Sequence, residues 1–259
     1  MYCSYGYGKS CEDFGNNLEL NIDYSLPQRI NYEIKDLIDF INKDPEPTLI
    51  FYGGEPILEL ENMKKIMENI SSDRCILQTN GMLLDQLDRE IINQFNTILV
   101  SIDGDEKTTD TNRGKGSYKL VVNNLKALIK WNFEGELIAR MTVPINTQID
   151  KQVNWLLSNQ DFSFTSIHWQ LDALFWQNDF NYSEFSRWSH NIYDYGVRNL
   201  VKMWVERIEE SGEILKIYPF VGIIRSLLRD EKSKLRCGAG WNTFNIQTDG
   251  KISACPVMA

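Results

Sequence analysis

The sequence predicts an α/β fold of parallel strands, open or closed into a barrel. Two observations carry the prediction. From residue 34 to residue 171, apolar runs of strand length alternate with segments whose apolar residues recur at helical spacing, and that alternation is the signature of βαβ crossovers. Three of those runs also break on turn-forming and polar residues: Gly53-Gly54-Glu55-Pro56, Thr79-Asn80-Gly81 and Ser101-Ile102-Asp103-Gly104. In a parallel sheet such breaks fall at the carboxyl ends of strands, where ligands bind.

Residues 1–28 show no clear period and read as loop, with one short strand around Leu18–Ile22. Ile34, Leu37, Ile38 and Ile41 then mark a helix, and Leu49–Tyr52 reads as a strand. Met63, Ile66, Met67 and Ile70 give the next helix, followed by a strand at Cys75–Leu77 in which Cys75 is a small buried hydrophobe. The beat continues with a helix through Leu87–Phe95, a strand at Ile98–Val100, and a helix from Leu120 to Leu128. A strand at Leu137–Val143, a helix at Val153–Leu157 and a strand at Ile167–Leu171 complete five strands, too few for an eight-stranded barrel. Beyond them a long amphipathic helix is predicted from about Glu184 to Glu210, with Gly196 as a candidate interruption. A polar linker follows at residues 231–236, and then a compact cysteine-containing tail.

Lys+Arg of 27 against Asp+Glu of 36 gives a net charge of -9, which disfavours a broad surface for nucleic acid or anionic lipid. No apolar run reaches membrane-spanning length and the amino terminus lacks a signal-peptide pattern, so the expected localisation is cytoplasmic, without a membrane partner. Five cysteines, an odd number, argue for reduced or metal-bound thiols over a disulfide framework.

Gly53-Gly54 is the focus of the chain. Two residues without Cβ atoms let backbone approach a ligand closely, and Pro56 fixes the chain just after them. Taken alone this stretch is equally readable as an ordinary tight turn. The ordered set of Gly53–Pro56, Thr79–Gly81, Ser101–Gly104 and Arg113-Gly114-Lys115-Gly116-Ser117-Tyr118 resembles the radical S-adenosylmethionine enzymes. It is most similar to the branch with a C-terminal cysteine-rich SPASM extension and to that branch's archaeal peptide-modifying members. That resemblance implies a partial (β/α)6 TIM-like barrel lacking its first strand, with a truncated cysteine-containing hairpin behind a helical linker. It implies a 4Fe-4S cluster and S-adenosylmethionine as cofactors, an auxiliary iron-sulfur cluster in a longer form, a peptide or protein substrate and an external electron donor. Gly53, Gly54 and Glu55 would meet the cofactor's ammonium, Asn80 would join the same binding set, and Ser101 and Asp103 would lie near the methionine and ribose portions. Arg140 would pair with the carboxylate, a group its guanidinium suits.

The cluster motif departs from the family pattern C-x3-C-x2-C, because the chain begins Met1-Tyr2-Cys3-Ser4-Tyr5-Gly6. Two alignments stand open. Cys3 is the third ligand, with Tyr2 as its aromatic neighbour and two cysteines upstream, or it is the middle ligand with Gly6 in place of the third; Cys11 is a less regular substitute. Counting ligands, this chain alone is expected not to keep a stable cluster, and Cys3 is expected beside Gly53, Gly54 and Glu55. At the other end Cys237, Gly250 and Cys255 resemble the opening half of the SPASM pattern, with Asp249-Gly250 turning a hairpin between residues 244–246 and 251–253.

The expected domains are 1–180, the partial barrel; 181–236, the helical linker; and 237–259, the truncated SPASM-like segment. His168 and Asp172 are weaker candidates at the last strand, Trp169, Phe175 and Trp176 are candidate cleft residues that equally suit a core, and His190 reads as exposed. The rival reading is a non-catalytic, cluster-less descendant that binds a peptide or nucleoside on the same barrel.

Overall fold

The computed structural model describes residues 27–172, 181–231 and 237–255. Strand β1 (Thr48–Phe51), β2 (Arg74–Thr79), β3 (Thr97–Ser101), β4 (Glu136–Val143) and β5 (Ser166–Leu171) form one sheet in the order β1-β2-β3-β4-β5, every neighbouring pair parallel. This is the layout that right-handed crossovers between successive strands require. Among the described residues the sheet stays open. Beyond β5 the backbone at Ile217 bridges to Ile167, whose N–H donates to Lys216 O at 3.0 Å, so the chain adds a short sixth position to the sheet.

The crossovers are α1 (Ile34–Ile41), entering β1; α2 (Leu60–Asn69), between β1 and β2; and the short α3 (Arg89–Ile92), between β2 and β3. Two helices, α4 (Glu106–Arg113) and α5 (Ser117–Lys130), connect β3 to β4, and α6 (Ile149–Ser158) connects β4 to β5. Only a turn of the helix expected at Leu87–Phe95 forms, and α4 was not foreseen, since its sequence Glu-Lys-Thr-Thr-Asp-Thr-Asn-Arg has no apolar stripe.

The two faces of the sheet differ. Leu77, Ile98, Val100, Ala139, Met141 and Ile167 are fully buried against Ile66, Ile92, Val121, Leu125 and Val153 of the crossover segments, forming one core. The alternate residues Gln78, Asn80, Leu99, Ser101, Arg140, Thr142 and His168 are only half-buried on the opposite face. A parallel sheet ordinarily buries both faces in apolar contact, so a polar second face marks a surface that receives something.

After β5, α7 (Tyr182–Trp188) runs through a π-turn at Ser189–Tyr193 into α8 (Asp194–Ser211). The expected long helix is therefore present, and it is interrupted by the wider turn instead of by Gly196. That glycine lies inside α8 where a Cβ would come within 2.9 Å of Ile149 Cγ2, so it is there to let α8 lie close on α6. Leu200 and Trp204 of α8 and Phe220 of α9 (Tyr218–Leu228) are buried in the same core as the sheet. The tail forms the expected antiparallel hairpin, β6 (Asn245–Ile246) and β7 (Ile252–Ser253), turning at Gly250 with φ +83°. It is tied to the chain's first described segment by Asn31 N–H to Thr248 O at 3.0 Å and Thr248 Oγ1 to Pro27 O at 2.6 Å.

Cys75 is buried on β2, and that burial pushes its thiol up to about 12. Iodoacetamide at pH 8 is therefore expected to label the exposed Cys237 in the native protein and to reach Cys75 only after denaturation. Peptide mapping by mass spectrometry reads this, and equal labelling of the two would contradict the fold given to β2.

Candidate active site

The first three of the motifs open on the same edge, at the carboxyl ends of β1, β2 and β3, and they are stitched together by their own side chains. Glu55 Oε1 accepts from Thr79 Oγ1 at 2.8 Å and from Ile57 N–H at 3.2 Å, and its Oε2 accepts from Asn80 N–H at 2.8 Å. The carboxylate thus caps the turn at Pro56–Glu59 and clamps the β1 loop to the end of β2. It leaves Gly53 and Gly54 exposed, Gly53 at φ +149°, with no atom of another described residue within 4 Å of where a Cβ would stand at either. An open Gly-Gly ledge of this kind suits backbone recognition of a ligand.

Burial raises the Glu55 carboxyl above its ordinary pKa, with the three hydrogen bonds opposing. For an acid raised in the folded state, folding takes up protons, so stability is highest below the ordinary carboxyl pKa and falls as pH rises through the raised one. Urea midpoints measured from pH 4 to 8 are expected to show this fall for the native chain, and Glu55→Gln should remove that step while costing about 1–2 kcal/mol in mispaired hydrogen bonds.

The Asn80-Gly81 turn is equally specified. Asn80 Oδ1 accepts from Met82 N–H at 2.8 Å, and Asn124 of α5 reaches up to donate from Nδ2 to Gly81 O at 2.9 Å and Met82 O at 3.1 Å. At Gly81, φ is +79° and a Cβ would fall 2.8 Å from Val100 Cγ1, so only glycine fits. Asn80 therefore serves the turn first, with its backbone N–H held by Glu55.

Asp103 has no exposed surface. Its Oδ1 accepts from Arg113 Nη2 at 2.7 Å and Thr142 N–H at 2.9 Å, and its Oδ2 accepts from Asn112 Nδ2 at 3.2 Å. The direct cofactor contact expected of Asp103 does not fit this placement. Its carboxylate is an internal hub that fastens the end of β3 to α4 and β4. The Arg113–Tyr118 motif is explained by the same economy, because Asp110 accepts Gly116 N–H at 2.7 Å and Tyr118 N–H at 2.9 Å to fold the link between α4 and α5.

Ser101, Arg140 and His168 form a single cross-strand row on the polar face, since Ser101 pairs with Arg140 and Arg140 with His168. Arg140 donates from Nη1 to His168 Nδ1 and from Nη2 to Gln170 Oε1. Burial, then the nearby guanidinium, lowers His168 to about 4, so the imidazole is neutral at pH 7 and accepts at Nδ1. Trp169, between them in sequence, points the other way into the helices, with Nε1 donating to Tyr193 OH at 3.0 Å and its ring edge-on to Phe220. It is core, not cleft. Asp172 stands at the carboxyl end of β5, and His190 lies exposed in the π-turn with Nδ1 donating to Ser186 O at 2.7 Å. Cys3 and Cys11, and with them Phe175 and Trp176, lie outside the described residues. Among the described residues no group of three or more His, Cys, Asp or Glu side chains is placed to hold a metal ion, Cys237 and Cys255 included.

The structural fit to S-adenosylmethionine is favourable on the chain's own terms. An exposed glycine ledge, a serine and a cationic guanidinium stand at one end and on one face of a parallel sheet, the groups that an amino acid with a sugar-borne base can use. These features define an open α/β fold whose parallel strands end on a polar edge.

Comparison with known proteins carries the reading further. Residues 2–123, a little under half of the chain, match the family described as "4Fe-4S single cluster domain". The solved structure "Native anSMEcpe with bound AdoMet" is similar with a TM-score of 0.65 at 21% identity, covering 90% of this chain and 66% of that one. The same enzyme "with bound AdoMet and Cp18Cys peptide" gives a TM-score of 0.63 at 20% identity, covering 90% and 66%. Streptococcus suis SuiB "bound to precursor peptide SuiA" gives 0.56 at 14% identity, covering 88% and 53%. A comparison with curated proteins gives no match. At these identities the likeness is one of fold, and the chain spans about two thirds of the length of the anSMEcpe structures. The family match and the shared fold agree with the expected α/β fold of parallel strands; the 4Fe-4S description is that of the matched family, and the bound AdoMet that of the anSMEcpe structures.

Proposed function

We propose that this chain is the barrel of a radical S-adenosylmethionine enzyme that abstracts hydrogen from a peptide or protein substrate, with an external reductant supplying the electron. The observation that carries the reading is the arrangement at the strands' carboxyl ends: the Gly53-Gly54 ledge braced by Glu55, Thr79 and Asn80, with Ser101 and Arg140 on the adjoining polar face. Gly53 and Gly54 would bind the cofactor's amino group through backbone, Ser101 would meet its methionine portion, and Arg140 its carboxylate. Asp103 acts behind them, holding β3 and β4 in the register that aligns Ser101 with Arg140. When bound, the cluster and S-adenosylmethionine would supply one-electron radical chemistry, which belongs to the cofactors and leaves the protein to position substrate and exclude water.

The cluster would be held in part by Cys3, and Cys237 with Cys255 would contribute to an auxiliary site in a longer form. The peptide substrate is suggested by the peptide-bound anSMEcpe and SuiB structures that share the fold. The net charge is -9, and no described helix is long and apolar enough to cross a membrane; a place in the cytoplasm without nucleic-acid or membrane partners is part of this proposal. Anaerobic reconstitution with iron and sulfide of a form carrying all three cysteines of the C-x3-C-x2-C motif, followed by dithionite and S-adenosylmethionine, tests the proposal. Reductant-dependent formation of 5'-deoxyadenosine is expected; a reconstituted protein that binds iron yet leaves S-adenosylmethionine intact favours the non-catalytic rival.

A further inference from the structure

The polar face of the sheet has an apolar patch let into it. Ile50 of β1 pairs with Ile76 of β2, and one step along the same face Leu99 of β3 pairs with Ile138 of β4. None of the four belongs to the core on the helical side. Ile138 is buried, whereas Ile50 is 49% exposed and Ile76 and Leu99 are half-buried. Gln78 of β2 stands within this patch, in register with Leu99 and two residues short of Asn80. Its half-buried carboxamide has no hydrogen-bond partner among the described residues, while the carboxamides of Asn80, Asn124 and Gln152 are all engaged. A polar group set among aliphatic side chains is ordinarily paired, so one left open on the floor of a candidate site points to a ligand.

We propose that Gln78 is a binding residue for the peptide substrate, its carboxamide meeting the N–H and C=O of one extended substrate residue whose aliphatic side chain lies on Ile50, Ile76 and Leu99. This rests on the reading of the chain as an enzyme acting on a peptide, and it narrows the substrate to one with an aliphatic residue at that position. In an extended chain the N–H and C=O of one residue point to the same side, as the paired bonds of an antiparallel ladder do. A primary amide, with donor and acceptor side by side, can therefore take both. The open patch spans three strands, about 10 Å from β1 to β3 at the usual spacing, which a residue with its flanking peptide groups fills and a single nucleoside base does not. A charged substrate side chain would lose hydration on Ile50, Ile76 and Leu99 and gain no counter-charge from them.

Three small probes test this on the cluster-free chain, labelled with ¹⁵N and with ¹³C in its Ile and Leu methyl groups: N-acetyl-leucine N-methylamide, its aspartate counterpart, and adenosine. The leucine probe is expected to give saturable shifts of the Gln78 side-chain NH2 and of the Ile50, Ile76 and Leu99 methyls. The aspartate probe should bind at least about 5-fold more weakly at the same groups, and adenosine should leave them unmoved. Gln78→Leu should weaken the leucine probe about 10-fold by removing both hydrogen bonds. Gln78→Glu, which keeps the shape but loses the donor and adds a charge, should weaken it as well. In both variants S-adenosylmethionine should shift Gly53 and Gly54 with an affinity within about 2-fold of the native chain's. Equal weakening of the two ligands would mark a structural role and overturn the inference, and shifts of the patch by adenosine would assign it to the nucleoside and overturn it too. A chain that binds S-adenosylmethionine but not the leucine probe would also overturn it, leaving the cofactor reading intact. A chain that takes the leucine probe but not S-adenosylmethionine would overturn the enzyme reading, and the substrate role of Gln78 with it.

Discussion

Replacing Asp103 with alanine is expected to lower the stability of the chain by about 3–5 kcal/mol, the cost of removing one partner from a buried ion pair. The carboxylate is fully enclosed and the Arg113 side chain opposite it is only 15% exposed. Without Asp103 that guanidinium stays in a poorly solvated place with its closest counter-charge gone, and Thr142 N–H and Asn112 Nδ2 lose their acceptor as well. Urea unfolding followed by circular dichroism measures the loss. Removing both charges, as Asp103→Leu with Arg113→Met, should recover much of it, since a well-packed apolar pair can replace a buried ion pair at little cost. A single-variant loss under about 1 kcal/mol would mean that Asp103 is not the hub described.

Gly104→Ala should be the next most damaging change, at about 2–5 kcal/mol from strain and overpacking together. The residue sits at φ +134°, where L side chains are rarely found, and an added Cβ would stand 2.7 Å from Gln152 Cβ. Rotation of the Gln152 amide cannot relieve that approach, because the Cβ belongs to the rigid part of α6. The same amide oxygen also accepts Asp105 N–H at 2.8 Å, so moving it unties the start of α4. Thermal unfolding of Gly104→Ala, with Gly212→Ala as a control at a position where no described residue comes within 4 Å of an added Cβ, would separate crowding from left-handed strain, which both share. Equal melting temperatures would remove Gln152 packing from the account.

The parallel sheet was legible because its strands carry strong apolar runs and the helices between them keep a clear stripe. The hairpin was legible because Asp249-Gly250 is a strong turn signal. What stayed hidden is the support behind the site. Asn124 and Gln152 are polar residues at buried helical positions, Asn124 one turn from Val121 and Leu128 and Gln152 three residues after Ile149. A polar side chain on an apolar stripe is the available signal, since burial obliges it to find partners. The resemblance to the family puts Asp103 and Glu55 beside the ligand, since both stand just after a strand in the motifs that carry it. Only the three-dimensional count of their partners shows that both are occupied with the protein's own groups. The polar face was hidden for a related reason: strand runs such as Cys-Ile-Leu-Gln and Ile-Leu-Val-Ser look continuously apolar until the register reveals which residues face the helices. Helix α4, lacking any apolar period, gave no signal beyond its cap, Asp105, which accepts Thr108 N–H at 2.7 Å.

The claim that the strand-end loops form the binding ledge is tested most directly by titrating S-adenosylmethionine into the ¹⁵N-labelled, cluster-free chain and following its backbone amides by NMR. Saturable shifts are expected at Gly53, Gly54, Asn80, Gly81 and Ser101, diminished in Arg140→Ala, while Leu227 and Gly250 stay unmoved. Shifts centred elsewhere, for example on the groove of about 310 Å³ that Trp169, Tyr193, Val197 and Phe220 line on the helical side of the sheet, would contradict it.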